Sequence, residues 1–329
     1  VSESRSPAPK SNSTTHTVTA AEAGQTLAAF LRGLRPGESW TRVKAFATGR
    51  RIAIGGSLCM DPARRVKEGE VVEVLEKPAR AIKGERADDV VIRHLDEDVV
   101  VVEKASGIST VRHPAERDWD ETRRELVPTL DDITQQAVAK RFGAKKHELT
   151  RLRIVHRLDK DTSGLVVFAR SVRAERELGR QFKAHTVVRR YVAIVAGTVQ
   201  PQTFSTWLVR DRGDGRRGSG LESSGKHAIT HVDVLEKLPR HTILVCQLET
   251  GRTHQIRIHL AEAGHPVCGE SVYNRRPDGS VIPDDSGAPR LALHAAELGF
   301  VHPGTGKELS WQMPPPPDLE RFIERLRRS

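Results

Sequence analysis

The sequence predicts an α+β protein: a mixed, largely antiparallel sheet with peripheral helices, preceded by a small α/β domain. Three observations carry this expectation. Short runs rich in Val and Ile recur between Gly and Pro punctuation, as in Val99-Val100-Val101-Val102 and Thr242 to Leu248. Long amphipathic stretches are few. No strand–helix–strand rhythm runs through the chain, which argues against a doubly wound parallel sheet. Its 329 residues leave room for roughly two domains.

Charge narrows the class of partner. Lys and Arg number 53 against 43 Asp and Glu, a net charge of +10 with a pI near 9.8. Such an excess favours a polyanion, most simply a nucleic acid, although a basic protein with scattered charge has the same total. Cys59, Cys246 and Cys268 are far apart and form no C-x-x-C pair. That spacing argues against a zinc centre or a disulfide framework and suits the reducing cytoplasm. Val1 to Lys10 is polar, with no apolar core after it, so no signal peptide is expected. No run approaches the roughly 18 apolar residues of a membrane span, so no membrane partner is expected.

In chain order, residues 1–17 are rich in Ser, Thr and Pro and read as a disordered tail. Residues 18–77 read as a compact unit. Leu27, Phe30, Leu31 and Leu34 fall at helical spacing. A second helix is expected after Ser39 as N-cap, with Val43, Phe46 and Ala47 on one face and Gly49 as its end. Two short strands follow, at Arg51 to Ile54 and Glu70 to Val74, and residues 78–89 read as a linker. The larger domain, 90–329, opens with strands at Val90 to Ile92 and Val99 to Val102. Arg112 to Leu126 is a charged insertion with no assigned structure. Ile133, Ala137 and Val138 predict a helix ending near Gly143, followed by a basic loop with Lys145 and Lys146. An amphipathic helix is expected through Ala174, Leu178 and Phe182, then a strand from Arg189 to Val195. Asp211 to Lys226 reads as a mobile loop whose glycines lack the flanks of a nucleotide fingerprint. Thr230 to Leu235 and Thr242 to Leu248 read as a strand pair joined through Pro239-Arg240-His241. His254 and His259 fall five apart in a strand-like run, so they face opposite sides, make a poor metal pair, and read as structural hydrogen-bonders.

The chain is organised around Ile154 to Ala169, IVHRLDKDTSGLVVFA. Two apolar runs flank a loop carrying His156, Arg157, Asp159, Lys160 and Asp161, more charge than a connection needs. Loops on a rigid sheet are where reactive groups are presented. On the residues alone the loop is either such a site or a solvated hairpin tip. Asp159 and Asp161 are then rival carboxylates.

HRLDKDTSGL resembles the central motif of the RluA-type pseudouridine synthases. Glu103-Lys104-Ala105-Ser106-Gly107-Ile108 resembles that family's first motif, with Ala105 in place of the usual Pro. Gly251 to His259, GRTHQIRIH, is similar to its third motif, and GHPVCGESVY continues the match with Glu270 where Asp is usual. LALHA at Leu291 to Ala295 and the following MPPPP complete a resemblance running from about Val99 to Pro317. Residues 18–77, with Arg42, Lys44, Arg50 and Arg51 around the second helix, resemble the alpha-L RNA-binding domain, so these cations are the expected RNA-binding residues.

The resemblance implies an isomerase that detaches uracil from C1′ and reattaches it through C5, in structured RNA. Ribosomal RNA is the expected target, with transfer RNA the alternative. It implies Asp159 as the catalytic carboxylate, Tyr191 in the same cleft, and Arg257 paired with Asp159. Arg157, two residues before Asp159 and on the same side in a strand, is expected to fill the space left by a flipped base. Ile256 is expected in the core or the uracil wall. Arg252 is expected to serve a phosphate or Asp159. No cofactor or metal is expected, and a monomer suffices. The rival from another class is a catalytically silent RNA-binding or ribosome-assembly protein on the same scaffold, which would tolerate loss of Asp159, Tyr191 or Arg257. A hydrolase using Asp159 and His156 is the third reading; it lacks accompanying metal ligands or an activated nucleophile.

Overall fold

The computed structural model describes residues 13–79, 85–116, 118–143, 151–276 and 280–328. The chain divides into two units, Val1–Ala81 with Ala115–Pro128, and Ile82–Pro114 with Thr129–Ser329. Residues 1–12 of the expected tail, 80–84 of the expected linker, and the Lys145-Lys146 loop lie outside the described residues.

The first unit contains β1 (Thr14–Thr17), α1 (Leu27–Leu34), α2 (Trp40–Thr48), β2 (Ile52–Ile54), β3 (Ser57–Leu58) and β4 (Val71–Val74). Its strands lie in the order β1-β4-β2-β3, every pair antiparallel. Local caps explain both helices. The Thr26 hydroxyl accepts the Ala29 N–H, Ser39 accepts that of Arg42, and α2 ends at Gly49, whose N–H returns to the Ala45 carbonyl. Leu27, Phe30, Leu31, Val43, Ile52 and Val72 pack between helices and sheet. Thr14–Thr17, assigned by sequence to the tail, is a strand instead. Its β-branched residues have an open edge, β4, on which to pair. The charged insertion contains α3 (Glu121–Leu126), and Arg123 grips the buried Asp61 carboxylate through two hydrogen bonds of 2.8 and 2.6 Å.

The second unit begins with β5 (Ile92–Leu95), β6 (Val99–Lys104), α4 (Leu130–Phe142), β7 (Arg153–Ile154), β8 (Ser163–Ala169) and α5 (Val172–Lys183). It continues with β9 (Val188–Ala196), β10 (Gln202–Val209), β11 (Gly218–Gly220), β12 (Lys226–Lys237), β13 (His241–Leu248) and α6 (Gln255–Glu262). It ends with β14 (Leu293–Val301), β15 (Glu308–Gln312) and α7 (Pro317–Arg327). The sheet runs β11-β10-β12-β13-β9-β14-β8-β6-β5, with β15 on β14 and β7 on β8. All pairs are antiparallel except β14 with β8, where His294 lies opposite Ser163 and Ala295 opposite Gly164. Gly164 makes that approach possible. Its φ is +128°, and a Cβ there would lie 2.3 Å from the Ala295 carbonyl oxygen. The runs Val99 to Val102 of β6 and Leu165 to Ala169 of β8 are apolar because both faces are covered. Val100, Val102, Val166 and Phe168 enter one core, and Val99, Val101, Leu165 and Val167 enter another with Ala174 and Leu178 of α5.

Two expectations for this unit are corrected. Gln255–Glu262 is a helix, not a strand-like run, so the alternation of Ile256 and Ile258 misled. Asp211 to Lys226 is not wholly a loop, since Gly218–Gly220 pairs with Trp207 to Val209. Among the described residues no helix is long and apolar enough to cross a membrane.

Candidate active site

The β7–β8 loop is held from beneath by the segment that follows β6. Lys104, fully buried at 0% exposure, donates to the carbonyls of Ala105, Lys160 and Thr162 at 2.9, 2.8 and 2.7 Å. Burial pushes its pKa down to about 7, yet three acceptors use all three hydrogens of an ammonium. Ser106 donates to the Asp161 carbonyl, and Thr110 both donates to the Leu158 carbonyl and accepts its N–H. His156 accepts the Val167 N–H and stacks on Phe182, with burial driving its pKa down to about 3. It is a strut between loop and strand, which leaves a hydrolase without its base.

Above this support lies a cavity of about 560 Å³, lined by the loop, β9 and the start of α6. Asp159, Arg157, Tyr191, Arg252, Ile256 and Arg257 all line it, so six residues singled out in the sequence are brought together. Asp161 is not among the lining residues. The Asp159 side chain is 18% exposed, with Arg257 Nη1 3.8 Å from Oδ2 and His254 Nε2 3.9 Å from Oδ1. Tyr191 is 7% exposed at the base of the site, and burial pushes its hydroxyl up to about 12. Ile256 is buried in the main core while facing the cavity.

The structure revises the arginines. The nearest partner of Arg257 is Glu270 rather than Asp159, through Nε–Oε2 and Nη2–Oε1 contacts of 2.6 and 2.7 Å. Burial raises the pKa of Glu270, but Arg257 outweighs it and holds the carboxyl below its ordinary range. Arg157 lies in irregular chain, not in a strand, and donates to the Thr253 hydroxyl at 3.2 Å. Arg252 is tied to the His227 carbonyl and makes no ion pair among the described residues. Arg189 was missed. It is 7% exposed on the cavity wall, donates to the carbonyls of Leu248 and Glu249, and leaves Nε without a partner among the described residues. Its place two residues before Tyr191 on one strand face was the available signal.

Arg42 and Lys44 lie on α2 in the first unit, and Arg50 and Arg51 follow its end, Arg51 stacking over Phe46. Among the described residues, His94, Asp96 and His302 converge closely enough to consider a metal. The His302 Nδ1 accepts the N–H groups of Gly304 and Thr305, so Nε2 carries the hydrogen and donates to Asp96 at 2.9 Å. The trio is a hydrogen-bonded support for the β5–β6 turn.

A carboxylate between cationic and aromatic walls, on a mixed sheet and in a strongly basic chain, is a site suited to an anionic substrate. The family model described as RNA pseudouridylate synthase matches residues 98–262, half of the chain and most of these walls. The chain belongs to the RNA pseudouridylate synthase family, in its RluA-type group, and is an RNA-modifying isomerase. It is 34% identical to the ribosomal large subunit pseudouridine synthase D of Nitrosomonas europaea, over 93% of this chain and 85% of that protein. Identity to the protein of the same name is 35% in Vibrio cholerae and 32% in Escherichia coli K12, each over 95% of this chain and 94% of the relative. The fold is similar to Human RNA Pseudouridylate Synthase Domain Containing 4, with a TM-score of 0.57 at 22% identity, over 72% of this chain and 92% of that one.

Proposed function

We propose that this isomerase converts uridine to pseudouridine in ribosomal RNA, with Asp159 as the carboxylate that meets the sugar or base carbon when the N1–C1′ bond breaks. The observation that carries the reading is the position of Asp159. It is the loop carboxylate on the cavity wall, within 4 Å of Arg257 and His254, above Tyr191. Tyr191 stacks on the extruded uracil, and its hydroxyl, kept protonated by burial, is a donor beside it. Ile256 forms the apolar wall. Arg252 and Arg189 face the sugar–phosphate chain. The names of the relatives favour ribosomal over transfer RNA. The reading uses one chain, in the cytoplasm, with no metal or cofactor. Purified protein is expected to form pseudouridine in large-subunit ribosomal RNA fragments, mapped by nucleotide-resolution sequencing. Product in transfer RNA alone would overturn the target, and no product in any RNA would leave the silent scaffold protein.

Arg157 acts on the RNA, entering the stack that the base vacates. Opening a paired base costs a few kcal/mol, and much less in a strand already open. Arg157→Ala is therefore expected to slow single turnover more on a stem-loop than on an open strand with the same uridine. An equal loss on both would move Arg157 into the chemistry.

The first unit binds RNA phosphates through Arg42, Lys44, Arg50 and Arg51. Removing one such cation should lower the slope of log affinity against log salt by about 1. The double variant Arg42→Ala, Lys44→Ala is expected to weaken RNA binding and flatten that slope by about 2. An unchanged slope would remove both residues from the interface.

A further inference from the structure

Asp159 has a second neighbour that the pairing with Arg257 does not account for. His254 precedes α6 with φ +59° and ψ +20°, a left-handed conformation uncommon for a residue with a side chain. This turns the imidazole between two groups. Its Nδ1 lies 2.6 Å from the Tyr273 hydroxyl, and its Nε2 lies 3.9 Å from Asp159 Oδ1. Arg257 approaches the other carboxylate oxygen, Oδ2, from across the site. Tyr273 also lies under the Arg257 guanidinium, 5.4 Å from ring centroid to Cζ.

We infer that Tyr273 is a positioning residue: its hydroxyl donates to His254 Nδ1, which fixes the hydrogen on Nε2 and aims that N–H at Asp159. The inference rests on the reading of Asp159 as the reacting carboxylate. Three proton arrangements of the pair exist. With the hydrogen on Nδ1, the Nε2 lone pair would face a carboxylate, which is repulsive. With both nitrogens protonated, a third cation would join Arg257 and Arg217. Burial lowers the His254 pKa, Asp159 and Glu270 pull it up, and Arg257 and Arg217 add to the lowering; the net direction is down, toward the neutral ring. Burial also pushes the Tyr273 hydroxyl up to about 12, so it keeps the hydrogen it donates. What remains is the neutral ring with hydrogen on Nε2. Each Asp159 oxygen then faces one donor, Oδ1 the His254 N–H and Oδ2 the guanidinium. At 3.8 and 3.9 Å both are too far for full hydrogen bonds in the free enzyme. The carboxylate is aimed without being occupied, and either donor can close on it as the substrate excludes water.

The test uses full-length protein with 15N-labelled histidine. Long-range nitrogen–proton spectra report the tautomer of His254, assigned by its loss in His254→Asn, since Asn tolerates the left-handed backbone. The wild type is expected to carry hydrogen on Nε2. Tyr273→Phe removes the donor to Nδ1, so it is expected to let the Nδ1-protonated ring appear beside the Nε2-protonated one and to cut the single-turnover rate about ten- to hundredfold, with RNA affinity nearly unchanged. His254→Asn should lose a similar factor, and it serves as the rate test if Tyr273→Phe does not fold. The inference falls if wild-type His254 is protonated on Nδ1 or on both nitrogens. It also falls if Tyr273→Phe slows the reaction without a change of tautomer, or keeps the wild-type rate. Asp159→Asn run in parallel separates the two levels. Product from that variant would remove the reading of Asp159 itself, whereas an inactive Asp159→Asn beside a fully active Tyr273→Phe would remove only the role of Tyr273.

Discussion

Asp159→Asn is expected to lower pseudouridine formation by about 10⁴-fold or more while RNA binding stays close to wild type. The substitution is nearly isosteric and deletes the one charge that can meet an electron-poor carbon, whereas RNA affinity is shared among many cations. The fold should survive, because the loop is held by backbone contacts from Lys104, Ser106 and Thr110 and not by the Asp159 carboxylate. Rates on a defined RNA and a binding isotherm at one salt concentration decide it. Substantial product would move the chemistry elsewhere, with Asp161 the first residue to test.

Arg257→Ala is expected to damage both stability and rate, for separable reasons. Glu270 has a side chain with 0% exposure, and the variant leaves its charge buried without a guanidinium. Breaking such a pair costs about 3–5 kcal/mol. Adding Glu270→Gln removes the stranded charge, so the double variant should recover most of the melting temperature. The single-turnover rate should remain about 10²-fold low, because Asp159 still lacks its cation. Recovery of rate together with stability would make Arg257 purely structural. The pair also predicts an acid response. Burial opposes ionisation of Glu270, but Arg257 holds its pKa below the ordinary 4.5. Its stabilisation is then complete above that ordinary value and lost as pH falls through the depressed one. Melting followed from neutral into acid solution should show this slope in the wild type and not in the double variant.

What the sequence made legible was what local chemistry determines. Ser39 and Gly49 bracket α2 because caps act within a few residues, and Val99 to Val102 reads as a strand because β-branching does. α6 was misread for a physical reason. Gln255 through Leu260 are all buried, polar and apolar alike, so no solvent-exposed stripe imposes a 3.6-residue period, and Ile256 and Ile258 imitate a strand. Asp159, Tyr191 and Arg257, singled out by the motifs, line one cavity. Pattern could not indicate that Arg257 would turn first to Glu270, thirteen residues away across a turn. Glu270 was visible only as a departure from the usual Asp. The contact between His254 and Tyr273 follows no spacing rule, since it arises from the meeting of separate segments.

The parallel contact of β8 with β14 has a consequence for how the enzyme comes into being. Ser163 and His294, hydrogen-bonded at 2.9 Å, are 131 positions apart. The strand that leads out of the Asp159 loop therefore gains its second neighbour, beside β6, only after β14 has been made. Contacts of such wide separation form late, because the intervening chain must first be closed into a loop. During synthesis, a growing chain that already contains Asp159, Tyr191 and Arg257 has the residues proposed for the chemistry and still lacks β14, which pairs with both β8 and β9. Activity should switch on abruptly once translation has carried β14 clear of the ribosome, and not rise in proportion to the residues completed.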